Sequence, residues 1–233
     1  MLALGPLLDE LAGVYGEPEP PPVRSPFELL LLENVAYLVD DRRRATAFDM
    51  LTRSVGATPE AILSATPEEL ERVTTAGILQ EHQANKLRAV AELAARLPLN
   101  QLNELPVREA KRVLMRFPSI GEPGAEKILL FSRSHALPGL DSNAVRVLTR
   151  VGIAQEMPTY AATYRDVQRV LEPYLVNGFD WLIRAHLLLR RHGQELCKRS
   201  RPRCERCPLT RVCEFYAGTA AAGGPSADQV SPR

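Results

Sequence analysis

Along this chain the apolar residues recur at helical spacings of three and four, and no stretch alternates polar with apolar over a strand's length. Residues 5–15 read as a short amphipathic helix, followed by the extended linker Glu17-Pro18-Glu19-Pro20-Pro21-Pro22. Ser25-Pro26-Phe27-Glu28 has the form of a capping box with proline at the first helical position, and it opens a strongly apolar helix from Phe27 to about Val39. Thr58-Pro59-Glu60 and Thr66-Pro67-Glu68-Glu69 repeat the cap-then-proline start, which is helix punctuation and not an internal repeat. Helices are expected near 42–54, 58–64, 67–75, 80–96, 106–117, 125–134, 142–152, 163–175 and 179–196. The fold class is therefore all-α. Ala217–Arg233 is mostly Ala, Gly, Ser and Pro without apolar periodicity, and a disordered tail is expected there.

Composition narrows the class. A chain of 233 residues with 45% hydrophobic content can bury one large core or two small ones, which excludes collagen-like and wholly disordered chains. No run approaches the roughly 18 uncharged apolar residues of a membrane span. The start, Met1 to Pro6, lacks a basic leader and soon meets Asp9 and Glu10. A soluble, cytoplasmic protein without a membrane partner is expected, nucleoid-associated if bacterial. The net charge of +1 argues, as an average, against a nucleic-acid partner.

All four cysteines fall within one short segment: Cys197, Cys204, Cys207 and Cys213, a C-x6-C-x2-C-x5-C array. A disulfide framework would scatter them along a secreted chain. Four thiolates on one loop suit a tetrahedral metal or a cubane iron–sulfur cluster. Zinc sites usually pair two C-x2-C units, and here there is one close pair with longer arms. That favours a [4Fe–4S] cluster over zinc.

The stretch His192–Tyr216, HGQELCKRSRPRCERCPLTRVCEFY, resembles the C-terminal cluster loop of endonuclease III-type DNA glycosylases, helix–hairpin–helix enzymes of base-excision repair. Two further segments carry the resemblance. Phe117-Pro118-Ser119-Ile120-Gly121-Glu122-Pro123-Gly124-Ala125 is similar to the family's L-P-G-V-G-x-x-x-A hairpin. By itself it is an ordinary turn between helices; in the family it cradles a DNA phosphate on free backbone N–H groups, which would assign Ser119, Ile120, Gly121 and Gly124 to DNA. Leu140-Asp141-Ser142-Asn143-Ala144-Val145-Arg146-Val147 resembles V-D-T-H-V-x-R-V, which makes Asp141 the counterpart of the catalytic aspartate. Asp141 also suits a helix N-cap, and the roles are compatible: a helix N-terminus keeps a carboxylate ionised and fixed in direction. Breaking an N-glycosidic bond builds positive charge on the sugar, which such a carboxylate stabilises, and it can also orient the attacking water.

The departures from the family pattern matter equally. The lysine nucleophile of bifunctional members falls at Pro123, so β-lyase chemistry is expected to be missing. Lys127, one turn later on roughly the same face, is the nearby substitute; its plain reading is a solvated helix lysine. Asn143 replaces the motif's histidine. Tyr37 and Leu38 stand where pyrimidine-excising members carry Ala-Gln, so Leu38 could wedge without hydrogen-bonding an orphan base. Glu33, Asn34 and Tyr37 share one helix face, either a solvent stripe or a base pocket. Ala76-Gly77-Ile78-Leu79 resembles the second intercalating loop, with Ile78 at its tip or buried under the next helix.

The resemblance covers about residues 25–216. It implies two all-α lobes: a helical barrel with the hairpin over 25–135, and a cluster domain joining 1–24 to 136–216, with 217–233 as tail. It also implies a monomeric DNA N-glycosylase acting on duplex DNA with a damaged or mismatched base, without efficient strand cleavage. An alkylated purine is the first candidate for the damaged base; the alternatives are a mismatch thymine/uracil glycosylase and a non-catalytic DNA-binding descendant. Counting by segment reverses the reading of the net charge. Arg184–Arg211 holds nine Lys+Arg and two acids, hence +7, which leaves −6 for the rest. Lys198, Arg199, Arg201 and Arg203 stand between the first two cysteines, either as a solvated loop or as a face for phosphates.

Overall fold

The computed structural model describes residues 3–36, 41–75, 77 and 80–221, whose regular elements are all helices, with no strand among them. The helices are α1 (Leu4–Tyr15), α2 (Pro26–Asn34), α3 (Asp41–Ser54), α4 (Pro59–Ser64), α5 (Pro67–Val73), α6 (Gln80–Ala94), α7 (Val107–Leu114), α8 (Glu122–Phe131), α9 (Ser142–Arg150), α10 (Tyr160–Leu171), α11 (Gly178–Glu195) and α12 (Glu214–Ala221). No described helix is long and apolar enough to cross a membrane.

The start signals work as their chemistry requires. The Ser25 hydroxyl accepts the Glu28 N–H at 3.1 Å, and Thr58 does the same for Ala61. The full reciprocal box forms at α5, where Thr66 and Glu69 each accept the other's backbone N–H. Two expectations differ. The apolar helix opened by Ser25 ends at Asn34, five residues short, with Val35 and Ala36 buried beyond it. The tail is helical in its first residues, because Cys213 accepts the Ala217 N–H and the alanine-rich stretch to Ala221 propagates the turn.

Contacts divide the chain into two compact units, residues 1–20 with 140–233, and residues 21–139. In the second unit α6 packs against α2, α4 and α5, while α8 meets α2 and α7. Leu30, Leu31, Leu51, Ile62, Leu70, Leu87, Leu114 and Ile128 are fully buried there. In the first unit α9 packs along α11, and α1 lies against α11. Leu4, Leu7, Leu8 and Leu11 of α1 join Val147 and Leu148 of α9 and Leu188 and Leu189 of α11 in one core, against which Cys197, Cys207 and Cys213 pack. Placing thiols on the edge of a close-packed core restricts their rotamers.

The contact of α9 with α11 is unusually close at one point. A Cβ added to Gly193 would lie 2.7 Å from the Asn143 Cβ and 2.8 Å from its carbonyl oxygen. Only glycine lets the two backbones approach this far.

Candidate active site

Asp141 caps α9. Its Oδ1 accepts the backbone N–H groups of Asn143 (3.0 Å) and Ala144 (2.9 Å), two donors the helix leaves unpaired. Its Oδ2 accepts Asn143 Nδ2 at 3.0 Å and an ion-pair hydrogen bond from Arg190 Nη1 on α11. Burial pushes the carboxyl pKa up, but the charges of Arg190 and His186 and the bonds from Ala144 and Asn143 outweigh it and hold the group down at about 2. Asp141 is therefore an ionised carboxylate at neutral pH. The Asp141 charge also reaches Tyr160, a half-exposed phenol whose pKa burial and that charge both raise.

The hairpin lies between α7 and α8. Ser119 takes the left-handed conformation (φ 62°), and its hydroxyl accepts from Lys86 Nζ at 2.8 Å. Ile120 is buried, while Gly121 caps α8 in extended conformation. The N–H groups of Gly121, Glu122 and Gly124 have no acceptor among the described residues, so the turn offers donors. Lys111 neutralises the acidic side of the turn, reaching Glu122 at 2.5 Å and Glu126 at 2.9 Å. Pro123 sits in the first turn of α8.

Of the pocket residues, Glu33 meets Lys127: Nζ lies 2.6 Å from Oε1, and both side chains are about four-fifths buried. Asn34 is buried, so a solvent stripe does not describe it; its amide nitrogen donates to the Leu30 carbonyl, and its Oδ1 is buried without a partner. Tyr37, Leu38 and Ile78 lie outside the described residues.

The four cysteines are free thiols lining one small pocket with Arg150, Leu196, Pro202 and Phe215. Among the described residues no three His, Cys, Asp or Glu side chains converge closely enough to clasp a single metal ion. Burial and then neighbouring cysteine charge raise the Cys204 thiol; burial above all pushes Cys207 up to about 11. Four thiol donors gathered at one pocket suit a shared cationic centre. As a donor set, Cys197, Cys204, Cys207 and Cys213 fit a metal cluster that they would hold together. Buried His192 has its pKa pulled down to about 4 by burial; its Nδ1 meets Tyr15 Oη at 3.0 Å and its Nε2 lies 3.5 Å from Cys207 Sγ.

The loop between Cys197 and Cys204 is pinned from α9. Arg146 donates to the carbonyls of Cys197 and Gly193, both at 2.8 Å, and also to Asn143 Oδ1. Arg150 donates to the carbonyls of Lys198 and Arg199 and lies 3.4 Å from Cys197 Sγ, with its guanidinium over the Phe215 ring. Arg199, Arg201 and Arg203 are exposed and Lys198 is half-buried. Sequence reasoning missed Arg146, Arg150, Arg190, His186 and Lys86. Helical register carries part of the signal: Arg146 and Arg150 are four apart on the helix that Asp141 opens, and His186 and Arg190 are four apart in an otherwise apolar run.

No family model matches the chain. It is 27% identical over 196 residues to the Endonuclease III of Sulfolobus acidocaldarius, covering 83% of each chain. It is 24% identical over 188 residues to the Endonuclease III of Rickettsia conorii, covering 78% of this chain and 82% of the relative. With the Thymine-DNA glycosylase of Aeropyrum pernix it shares 27% over 223 residues, 92% of this chain and 94% of the relative. Among solved structures, a trapped endonuclease III–DNA covalent intermediate superposes with a TM-score of 0.70 at 22% identity, over 94% of this chain and 100% of the other. A thermostable thymine-DNA glycosylase superposes with a TM-score of 0.62 at 15% identity, over 92% and 97%. These structural likenesses establish the helix–hairpin–helix glycosylase fold. With the sequence relatives beside them, the chain is similar in sequence and in fold to endonuclease III among the helix–hairpin–helix DNA glycosylases.

Proposed function

We propose that this chain is a DNA N-glycosylase that hydrolyses the glycosidic bond of a damaged or mismatched base and leaves the strand intact. The observation that carries the reading is Asp141: an ionised carboxylate fixed at a helix N-terminus, on the motif position of the family's catalytic aspartate. Such a charge stabilises the sugar cation as the base departs, and it can orient the water that captures C1′. The base leaves with the bonding electron pair, and water supplies the new hydroxyl while releasing a proton.

Strand cleavage requires an amine that attacks C1′ and forms a Schiff base. Pro123 holds the motif position of that amine and has none to offer. Lys127 is engaged by the Glu33 carboxylate, a contact that occupies its Nζ and opposes its use as a nucleophile. The relatives' names cover endonuclease III and thymine-DNA glycosylase, so the candidate bases span more than one lesion class. Alkylated purines come first, since their weak glycosidic bonds need little catalytic help, and thymine and uracil opposite guanine come second.

The experiment is an excision screen over duplexes carrying alkylated purines, T·G and U·G pairs, and oxidised pyrimidines, each scored with and without hot alkali. Strand breaks that appear only after alkali are expected. Equal breakage without alkali overturns the monofunctional reading, and no abasic product on any duplex supports a DNA-binding descendant without catalysis.

The same reading assigns a [4Fe–4S] cluster to Cys197, Cys204, Cys207 and Cys213, where it would pin the basic loop to the core. Protein purified without oxygen is expected to be yellow-brown, with a broad absorption band near ~400 nm. A colourless preparation containing zinc contradicts the assignment.

A further inference from the structure

Asp141 has little capacity left for a substrate. Oδ1 accepts two backbone N–H groups, and Oδ2 accepts Asn143 Nδ2 and the Arg190 guanidinium. A carboxylate carries about four lone-pair sites, and all are taken. Charge is cancelled along with geometry, because an Asp–Arg pair is neutral and does much less than a bare carboxylate to stabilise a cation forming on the sugar. The pair is about four-fifths buried but not sealed: Arg190 and Asp141 side chains retain 20% and 18% of their exposure. Arg190 is thus within reach of an incoming anion. The Asp141 contacts that remain without it, to Asn143 and Ala144, are local to α9 and survive its departure.

We propose that Arg190 is a phosphate-released latch: it holds Asp141 neutralised in the free protein and transfers to a DNA backbone phosphate when duplex binds, uncovering Oδ2 for the sugar. This rests on the assignment of Asp141 as the catalytic carboxylate, and makes Arg190 a positioning residue. A guanidinium suits the exchange, since its planar fork matches phosphate and carboxylate alike and it keeps its charge throughout. Asp141 and phosphate then compete for one cation, and each weakens the other's hold on it. Arg146 of α9, His186 of α11 and Tyr160 of α10 are the other titratable groups that couple to Asp141; none of their titrations is needed for the exchange.

The competition is measurable by binding alone, with a duplex containing a tetrahydrofuran abasic analogue and the full-length protein. Asp141→Asn removes the internal competitor and retains an N-cap, so it should bind roughly fivefold tighter or more. Arg190→Gln should bind more weakly, with the slope of log affinity against log salt reduced by about one unit. The gain from Asp141→Asn should vanish when Arg190→Gln is also present. Retained helicity and thermal transitions show that the variants are folded, and Arg190→Lys, which keeps the charge, should recover most of the salt slope. If Arg190→Gln binds with wild-type affinity and slope, or Asp141→Asn gains nothing, the latch is wrong. The glycosylase reading fails separately, on a wild-type protein that excises no base while the binding cycle stands.

Discussion

At the residue scale, Asp141 unites structure and chemistry: the bonds that cap α9 also hold its charge. Asparagine is an equally good N-cap but carries no charge, so Asp141→Asn separates the two roles. The variant should fold and should lose excision by a factor on the order of 10²–10³, measured in single-turnover assays on whichever lesion the screen identifies. A pH signature accompanies this. The Asp141 pKa is depressed to about 2 in the folded protein, so its contribution to stability is complete above the ordinary carboxyl value near ~4 and disappears as pH falls through about 2. Wild type should therefore exceed Asp141→Asn by about 2 kcal/mol at neutral pH, in thermal or urea unfolding, and the gap should close in strong acid. A gap independent of pH would mean that the charge of Asp141 does not stabilise the fold. Ser119 makes the opposite point about legibility. Its place in the hairpin was readable, but its positive φ was not, because serine gives no signal for a conformation that glycine adopts at less cost.

At the element scale, the contact of α9 with α11 decides how well the site is built. One face of α9 starts with Asp141 and continues through Asn143 and Arg146 to the cysteine loop, while α11 supplies Arg190 and the Gly193 backbone. Gly193→Ala forces a Cβ to within 2.7 Å of Asn143, against the backbone of α9 as well as a side chain. The helices must separate, which should cost about 1–3 kcal/mol in unfolding free energy and disturb the Asn143 bond to Asp141. Excision by Gly193→Ala should fall even where the protein remains folded, and unaltered excision and stability would show that the approach is looser than described. Most helices were legible because cap, proline and periodicity agree, as at Thr66-Pro67-Glu68-Glu69. The end of α2 was not, since the apolar run continues through Val35 and Ala36 and burial outlasts the helix. Arg146 and Arg150 stayed hidden because their partners are backbone carbonyls some fifty residues away, which no local pattern records.

At the scale of the whole molecule, the near-zero net charge hides an unequal division, and the structure refines it further. Of the nine basic residues in Arg184–Arg211, Arg184 is paired with Asp9 and Glu17, Arg190 with Asp141, Arg191 with Glu195 and Arg211 with Glu10. Those cations are partly spent inside the protein, so the segment's +7 overstates what a polyanion would meet. Lys198, Arg199, Arg201, Arg203 and Arg206 have no carboxylate partner among the described residues, and their loop is anchored through its backbone by Arg146 and Arg150. Anchoring the backbone while the side chains stay exposed lowers the ordering cost of meeting phosphates. Changing Arg199, Arg201 and Arg203 together to alanine should weaken duplex binding and flatten the salt dependence by about two to three units of slope. Arg184→Gln removes the same kind of charge from a paired site and should leave the slope close to wild type. Equal effects of the two changes would mean that DNA responds to total charge; a loss confined to the loop would show that the surface between the first two cysteines meets the backbone.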